Sequence, residues 1–367
     1  MLGIILAATT AALATPAAGL LGHRAVRRSA NAALMRIDTP TGIDEQRFVR
    51  IGGIEQWISI RGEDRANPVL LEVHGGPGAA NSPYGARTRE WEKHFTLVRW
   101  DMRGAGLTFA RSPEGQGGPV TFARLHEDAL EVTRYVLDRM RVDRVVLMPS
   151  SFGTTLGLRL ARNHPELYSA YVGTDQNVQE AGRDTSAYEA TLERLRSAGR
   201  TKDVTTVEAM GCDPRRWTAA QRSSYDKLCA GSDPLTLDTV KKVIIGSLWL
   251  SPLYTLGRIK AYFDGQRFSE SVTEGASDCD DLADGTRFEM PFFIFQGALD
   301  VITPAARAKA YFDAVEAPVK AFELIEDASH FAALRRPDRF LELLLTHVRP
   351  AVAAAARQDE GTVNSTY

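Results

Sequence analysis

The sequence predicts an α/β architecture: a mainly parallel sheet flanked by helices, interrupted by a mostly helical cap insertion. Three observations lead there. Short, nearly all-apolar runs recur after residue 40 and alternate with stretches of helical apolar spacing. The alternation stops between residues 176 and 288 and then resumes. The chemically distinctive residues follow the apolar runs, at the strand ends where open parallel sheets bind ligands.

Composition narrows the function. The 367 residues are 44% hydrophobic and 25% charged, with a formal net charge of -2. That much apolar surface excludes a chain disordered throughout. The near-neutral balance supplies no electrostatic pull on nucleic acid, so none is expected as a partner. A short peptide or a small molecule is the expected substrate. Cys212, Cys229 and Cys279 form no C-x-x-C pair and have no histidine beside them, so no zinc site and no other metal site is expected. They read as buried thiols, with a single bridge open to them in an oxidising compartment.

Residues 2–22 carry no charged side chain, and ~20 apolar residues suffice to cross a bilayer as a helix. Arg24, Arg27 and Arg28 follow at once. This flank favours membrane association through residues 2–22, with the catalytic domain on the cytoplasmic side. The rival reading is a secretory signal cleaved near Ala30-Asn31-Ala32, although no Lys or Arg precedes the apolar run. A soluble N-terminal helix is the third. Residues 1–35 are therefore set apart as an anchor or signal segment.

The core elements follow in order. Arg47–Ile51 and Ile54–Arg61 read as a hairpin around Gly52-Gly53. Val69–Val73, Thr96–Trp100, Arg144–Met148 and Ala170–Gly173 read as buried strands. Between them, residues 121–141 place Leu125, Ala129, Val132, Val136 and Met140 on one helical face, and Thr154–Asn163 forms a second helix. This first part of the core spans residues 40–175. The cap, 176–288, is expected to hold helices at Glu189–Arg200, Lys202–Met210 and Val240–Phe263. The core resumes over 289–350 with the strand Phe292–Gln296, the helix Pro304–Val315, the strand Lys320–Ile325 and the helix Arg339–His347. Residues 351–367 read as a flexible tail.

The candidate chemistry begins at Ser151, between a strand and a helix. A sharp turn there exposes a serine hydroxyl and aims the N–H of Phe152 at the same point, as in the G-x-S-x-G elbow. Gly153 supplies the second small residue, whereas Pro149 replaces the first, so a slightly shifted elbow is expected. Ser150 is the competing nucleophile, and a plain helix N-cap is the non-catalytic reading. After the strand Val69–Val73 comes His74-Gly75-Gly76-Pro77-Gly78, in which Gly76 offers the second oxyanion donor and His74 reads as structural. Asp300 follows the strand Phe292–Gln296, with Asp327 the runner-up acid, and His330 follows the last strand. The order Ser151, Asp300, His330 suits a nucleophile, an orienting acid and a general base on an α/β-hydrolase sheet.

These motifs resemble the proline iminopeptidase family of α/β-hydrolases. His74-Gly75-Gly76-Pro77-Gly78 is similar to its H-G-G-P-G signature, and Asp101-Met102-Arg103-Gly104-Ala105-Gly106 to its D-x-R-G-x-G element. Gly297–Asp300 and Ser329–Phe331 are similar to its acid and base loops. The resemblance covers roughly residues 45–350 and implies a cofactor-free serine aminopeptidase, with proline as the N-terminal residue removed from short peptides. It also implies cap carboxylates that hold the substrate's free amine. Glu180 is the first candidate for that role and Asp175 the second. An esterase or amidase acting on a small metabolite is the rival enzyme. A membrane-tethered binding protein with a decayed elbow is the rival outside enzymes.

Overall fold

The structure, a computed structural model, describes residues 19–113, 116–179, 185–272 and 279–364. Its centre is an eight-stranded sheet: β1 (Ile43–Ile51), β2 (Ile54–Gly62), β3 (Val69–Val73), β4 (Thr96–Asp101), β5 (Val145–Pro149), β6 (Tyr168–Thr174), β7 (Phe292–Gly297) and β8 (Lys320–Ile325). The spatial order is β1-β2-β4-β3-β5-β6-β7-β8. β1, β2 and β4 pair antiparallel, and every pairing from β4 to β8 is parallel.

Alternate side chains of a strand face opposite sides of the sheet. Leu71, Val73, Val98 and Leu147 pack in one cluster with Leu125, Val132, Val136 and Leu156 of the helices Phe122–Met140 and Phe152–Asn163. Leu70, Leu97, Val146 and Met148 pack in the other, with Trp91 and Phe340. Both faces of the central strands are therefore dry, and this is why those strands read as continuous apolar runs. Each large side chain so buried contributes about 1.5–3 kcal/mol.

The cap is helical, as expected; the helices predicted at 189–200 and 202–210 are present within a few residues, and the later ones differ. It holds helices at Ser186–Ser197, Thr201–Met210, Ala219–Ala230, Pro234–Thr239, Gly246–Leu250 and Leu256–Val272. The helix expected to run unbroken over 240–263 is interrupted, because Pro252 forces Ser251 out of the helical region to ψ 131. The helices at 219 and 234 start on legible signals that the periodicity did not reveal: a Thr218–Gln221 capping box, and Asp233 capping a helix that opens with Pro234. Leu192, Leu195, Val207, Trp217 and Tyr225 give the cap its own small core.

Two further expectations need revision. The C-terminal segment is helical over Arg349–Asn364, and Ala351 and Val352 pack on the core, so it is not a tail from residue 351. Cys212 is exposed, Cys229 and Cys279 are buried, and all three are free thiols. The segment 2–22 lies outside the described residues up to residue 18. Residues 19–34 form a helix, and among the described residues no helix is long and apolar enough to cross a membrane. Two of the arginines that follow the apolar run, Arg24 and Arg28, contact the cap. Arg24 donates to the carbonyls of Trp249 (2.9 Å) and Tyr254 (2.7 Å), Arg28 to those of Ser251 (3.0 Å) and Pro252 (2.8 Å), and Asn31 to that of Leu250 (3.1 Å). A helix end leaves carbonyls without partners, and cations there also meet the negative end of its dipole. The spacing 24, 28, 31 puts all three side chains on one helical face.

Candidate active site

β5 ends at Pro149, and the chain turns into the next helix through Ser151, whose φ of 52° and ψ of -125° are rare for a non-glycine residue. The turn is held by Ser150 N–H donating to Val73 and Ser151 N–H donating to Thr174, the neighbouring strand ends. It is tight enough to demand small residues around it. A Cβ on Gly75 would meet Ser151 Cβ at 2.8 Å, and one on Gly153 would meet the Val73 carbonyl at 2.3 Å. The ring of Pro149 lies against Gly157, where an added Cβ would be 2.6 Å from Pro149 Cγ.

The three predicted catalytic residues come together. His330 Nε2 lies 3.1 Å from Ser151 Oγ, and His330 Nδ1 lies 2.9 Å from Asp300 Oδ2. Asp300 also caps its own turn, since Oδ1 accepts from the N–H groups of Ile302 and Thr303, each at 2.9 Å. Its Oδ2 accepts further bonds from Thr303 Oγ1 (2.8 Å) and Gln296 Nε2 (3.2 Å). Asp300 thus both caps its own turn and faces the imidazole. Asp327 is excluded from the site by its surface ion pair with Arg336. The Ser150 hydroxyl donates to Asp175 Oδ2 at 3.2 Å, whereas it is Ser151 that meets the imidazole.

Burial is the largest influence on His330 and lowers its pKa. The charges of Asp300 and Asp175, with the Asp300 hydrogen bond, outweigh it and leave the pKa at about 9. His74 is the opposite case. Burial pulls its pKa down to about 4, against a smaller upward pull from the Gly75 backbone. Its Nε2 accepts from the N–H of Met102 (3.1 Å), so Nδ1 carries the proton and donates to the Gly75 carbonyl (2.8 Å). The neutral ring thus ties the Gly75-Gly76 turn to the loop after β4, a structural role as expected.

Gly76 and Phe152 both line the cavity around Ser151. Phe152 opens its helix, so its N–H is one of those without an intrahelical acceptor. Gly76 has φ 118°, and a Cβ there would strike Gly78 N at 2.5 Å, so no other residue fits this turn.

The cavity has a volume of about 460 Å³ and is walled on the cap side by Tyr225, Asp226, Ile244, Phe263, Gln266 and Glu270. Val240 and Ile244, in the segment predicted as the helix Val240–Phe263, also line the cavity. Asp226 faces the open cavity, yet enough protein surrounds its carboxyl to raise the pKa. Burial first and then the Glu270 charge push it up to about 6, against Arg222. This pair went unnoticed in the sequence because Asp226 and Glu270 look like ordinary charges on two separate helices. Glu180, the first candidate for holding an amine, lies outside the described residues. Asp175, the second, is 1% exposed and has both oxygens occupied, by Ser150 Oγ and by the N–H of Ala332 at 3.2 Å.

Sheet order and elbow define the class: the chain has the α/β-hydrolase fold. Residues 68–211 match the protein family described as alpha/beta hydrolase fold. The chain is similar to a probable aminopeptidase, YbaC, of Bacillus subtilis strain 168, at 25% identity over 82% of this chain and 94% of the relative. It is 33% identical to a probable proline iminopeptidase of Streptomyces coelicolor over 33% of this chain and 37% of that one. Among solved structures, a bacterial membrane phospholipase A superposes with a TM-score of 0.58 at 18% identity, over 95% of this chain and 97% of that one, a likeness of fold. The similarity to the probable aminopeptidase thus extends over most of the chain, and that to the probable proline iminopeptidase over a third of it.

Proposed function

We propose that the protein is a serine aminopeptidase that removes N-terminal residues, proline among them, from short peptides. The observation that carries the reading is that the cavity onto which Ser151 opens is also lined by two acidic cap residues, Asp226 and Glu270. A carboxylate pair suits the free ammonium of a peptide's first residue and gives an ester or amide without one nothing to pair with. The similarity to a probable aminopeptidase and to a probable proline iminopeptidase supports the same substrate class.

This reading implies the following steps. His330 Nε2 takes the Ser151 proton as Oγ attacks the carbonyl carbon of the first peptide bond. The N–H groups of Gly76 and Phe152 stabilise the oxyanion, each worth about 3–4 kcal/mol in the transition state. Asp300 holds the imidazole with Nε2 toward Ser151 and stabilises the imidazolium. His330 then gives its proton to the departing amine, the C–N bond breaks, and Ser151 carries the acyl group. Water, deprotonated by His330, attacks the ester, releases the amino acid and returns the proton to Ser151. No cofactor enters these steps.

The test compares turnover of proline and other aminoacyl arylamides with that of simple aryl esters, alongside fluorophosphonate labelling of Ser151. Turnover of esters alone would replace the peptidase reading by an esterase or amidase, whose acyl group would meet the apolar walls of Ile244 and Phe263. Absence of both labelling and turnover would leave the non-catalytic binding protein.

A further inference from the structure

We propose that Asp175 is a positioning residue for the reaction: one buried carboxylate that locks the nucleophile elbow to the base loop and sets a second negative charge beside His330. The proposal rests on the serine-hydrolase reading of Ser151. Asp175 directly follows β6 and has φ 49°, a left-handed conformation that Asp and Asn tolerate better than most residues. Its Oδ2 accepts from Ser150, the residue before the nucleophile, and its Oδ1 accepts from the N–H of Ala332, two residues after the base. The two loops that must meet for proton transfer are thereby bridged by a single side chain. Ligating atoms of Asp175, Asp300 and His330 all lie within 4.8 Å of one another.

The surroundings of the imidazole are few. Asp300 faces it from the loop after β7 and Asp175 from the loop after β6, while Ser151 and Thr303 are its neutral neighbours. From the cap, Asp226 and Cys229 line the same cavity, and Asp233 lies at the start of the helix whose Thr236 meets Ser329. Burial raises Asp175 to about 6, the His330 charge opposes this, and the Asp300 charge adds to it. At neutral pH two carboxylates therefore share one imidazolium. Asp300 orients the ring, and Asp175 adds charge that favours the protonated form reached during attack.

The test is Asp175→Asn, whose amide oxygen still accepts from Ala332 while the charge is lost. The readout is the pH dependence of fluorophosphonate reaction at Ser151. The alkaline-rising limb should move to lower pH by about one unit, since one of two carboxylates beside the base is gone. Asp300→Asn should retain measurable reaction, and Asp175→Asn/Asp300→Asn should be slower than Asp300→Asn by at least about tenfold. An unmoved limb in a folded Asp175→Asn protein overturns the proposal. If the wild type is not labelled, or Ser151→Ala labels equally, the underlying reading fails instead. Should Asp175→Asn not fold, a histidine-ring NMR titration of the wild type decides, with the His330 signal assigned by His330→Gln. A second inflection in the acid range that persists in Asp226→Asn, and so comes from the carboxyl beside the ring, supports the proposal, and a single step or an inflection lost in Asp226→Asn overturns it.

Discussion

Pro149 and Gly157 are a matched pair: the ring of one fills the space that a side chain on the other would need, with only 2.6 Å between Pro149 Cγ and a Cβ placed at Gly157. The elbow tolerates proline because the following helix turns a glycine toward it. Gly157→Ala should therefore destabilise the fold by about 1–3 kcal/mol, the usual cost of overfilling a packed core. Pro149→Gly in the same chain should recover most of that loss. Denaturant midpoints of the two single variants and the double variant check this. Simple addition of the two single effects would show that the residues are independent.

The rate should follow the protonation of His330. A general base acts when neutral, and this imidazole has a pKa raised to about 9. Its neutral fraction grows as pH rises through that value, so kcat/KM should climb between pH 7 and 9. A profile already flat at pH 7 would contradict the charge arrangement. Ser151→Ala should lose ~10⁴-fold or more in kcat at any pH while keeping the wild-type thermal midpoint.

Asp226 and Glu270 should govern substrates that carry a free amine. Asp226→Asn and Glu270→Gln should each raise KM for aminoacyl arylamides by about 10- to 100-fold, the worth of one charge-assisted hydrogen bond. Turnover of a neutral aryl ester should be unchanged. Asp226 has a carboxyl pKa of about 6, so it binds a proton as pH falls below that value and loses its charge. KM for the amine substrates should rise with acidity there, and KM for the ester should not. Equal effects on both substrate types would remove the pair from amine recognition.

The N-terminal helix should hold the cap in place. Arg24→Ala/Arg28→Ala deprives the carbonyls of Trp249, Ser251, Pro252 and Tyr254 of their donors. The loop concerned leads into the helix Leu256–Val272, which carries Phe263 and Glu270 into the cavity. Loss of the clamp should lower the thermal midpoint by a few degrees and raise KM more than it lowers kcat. Wild-type values for all three would mean that the helix is a passenger.

The sequence by itself determined the parallel core and its candidate catalytic residues. Strands covered on both faces must be apolar throughout, and an elbow crowded by backbone must have small neighbours, so Val69–Val73, Ser151-Phe152-Gly153 and the order Ser151, Asp300, His330 carry their meaning locally. Tertiary structure alone decided the partners that meet through space. Gly157 opposite Pro149, Asp226 with Glu270, Asp175 between Ser150 and Ala332, and Arg24 on the cap carbonyls are each ordinary residues in their own segments. A contact between chemically unremarkable residues leaves no periodic or motif signal, because what fixes it is the packing of elements distant in the chain.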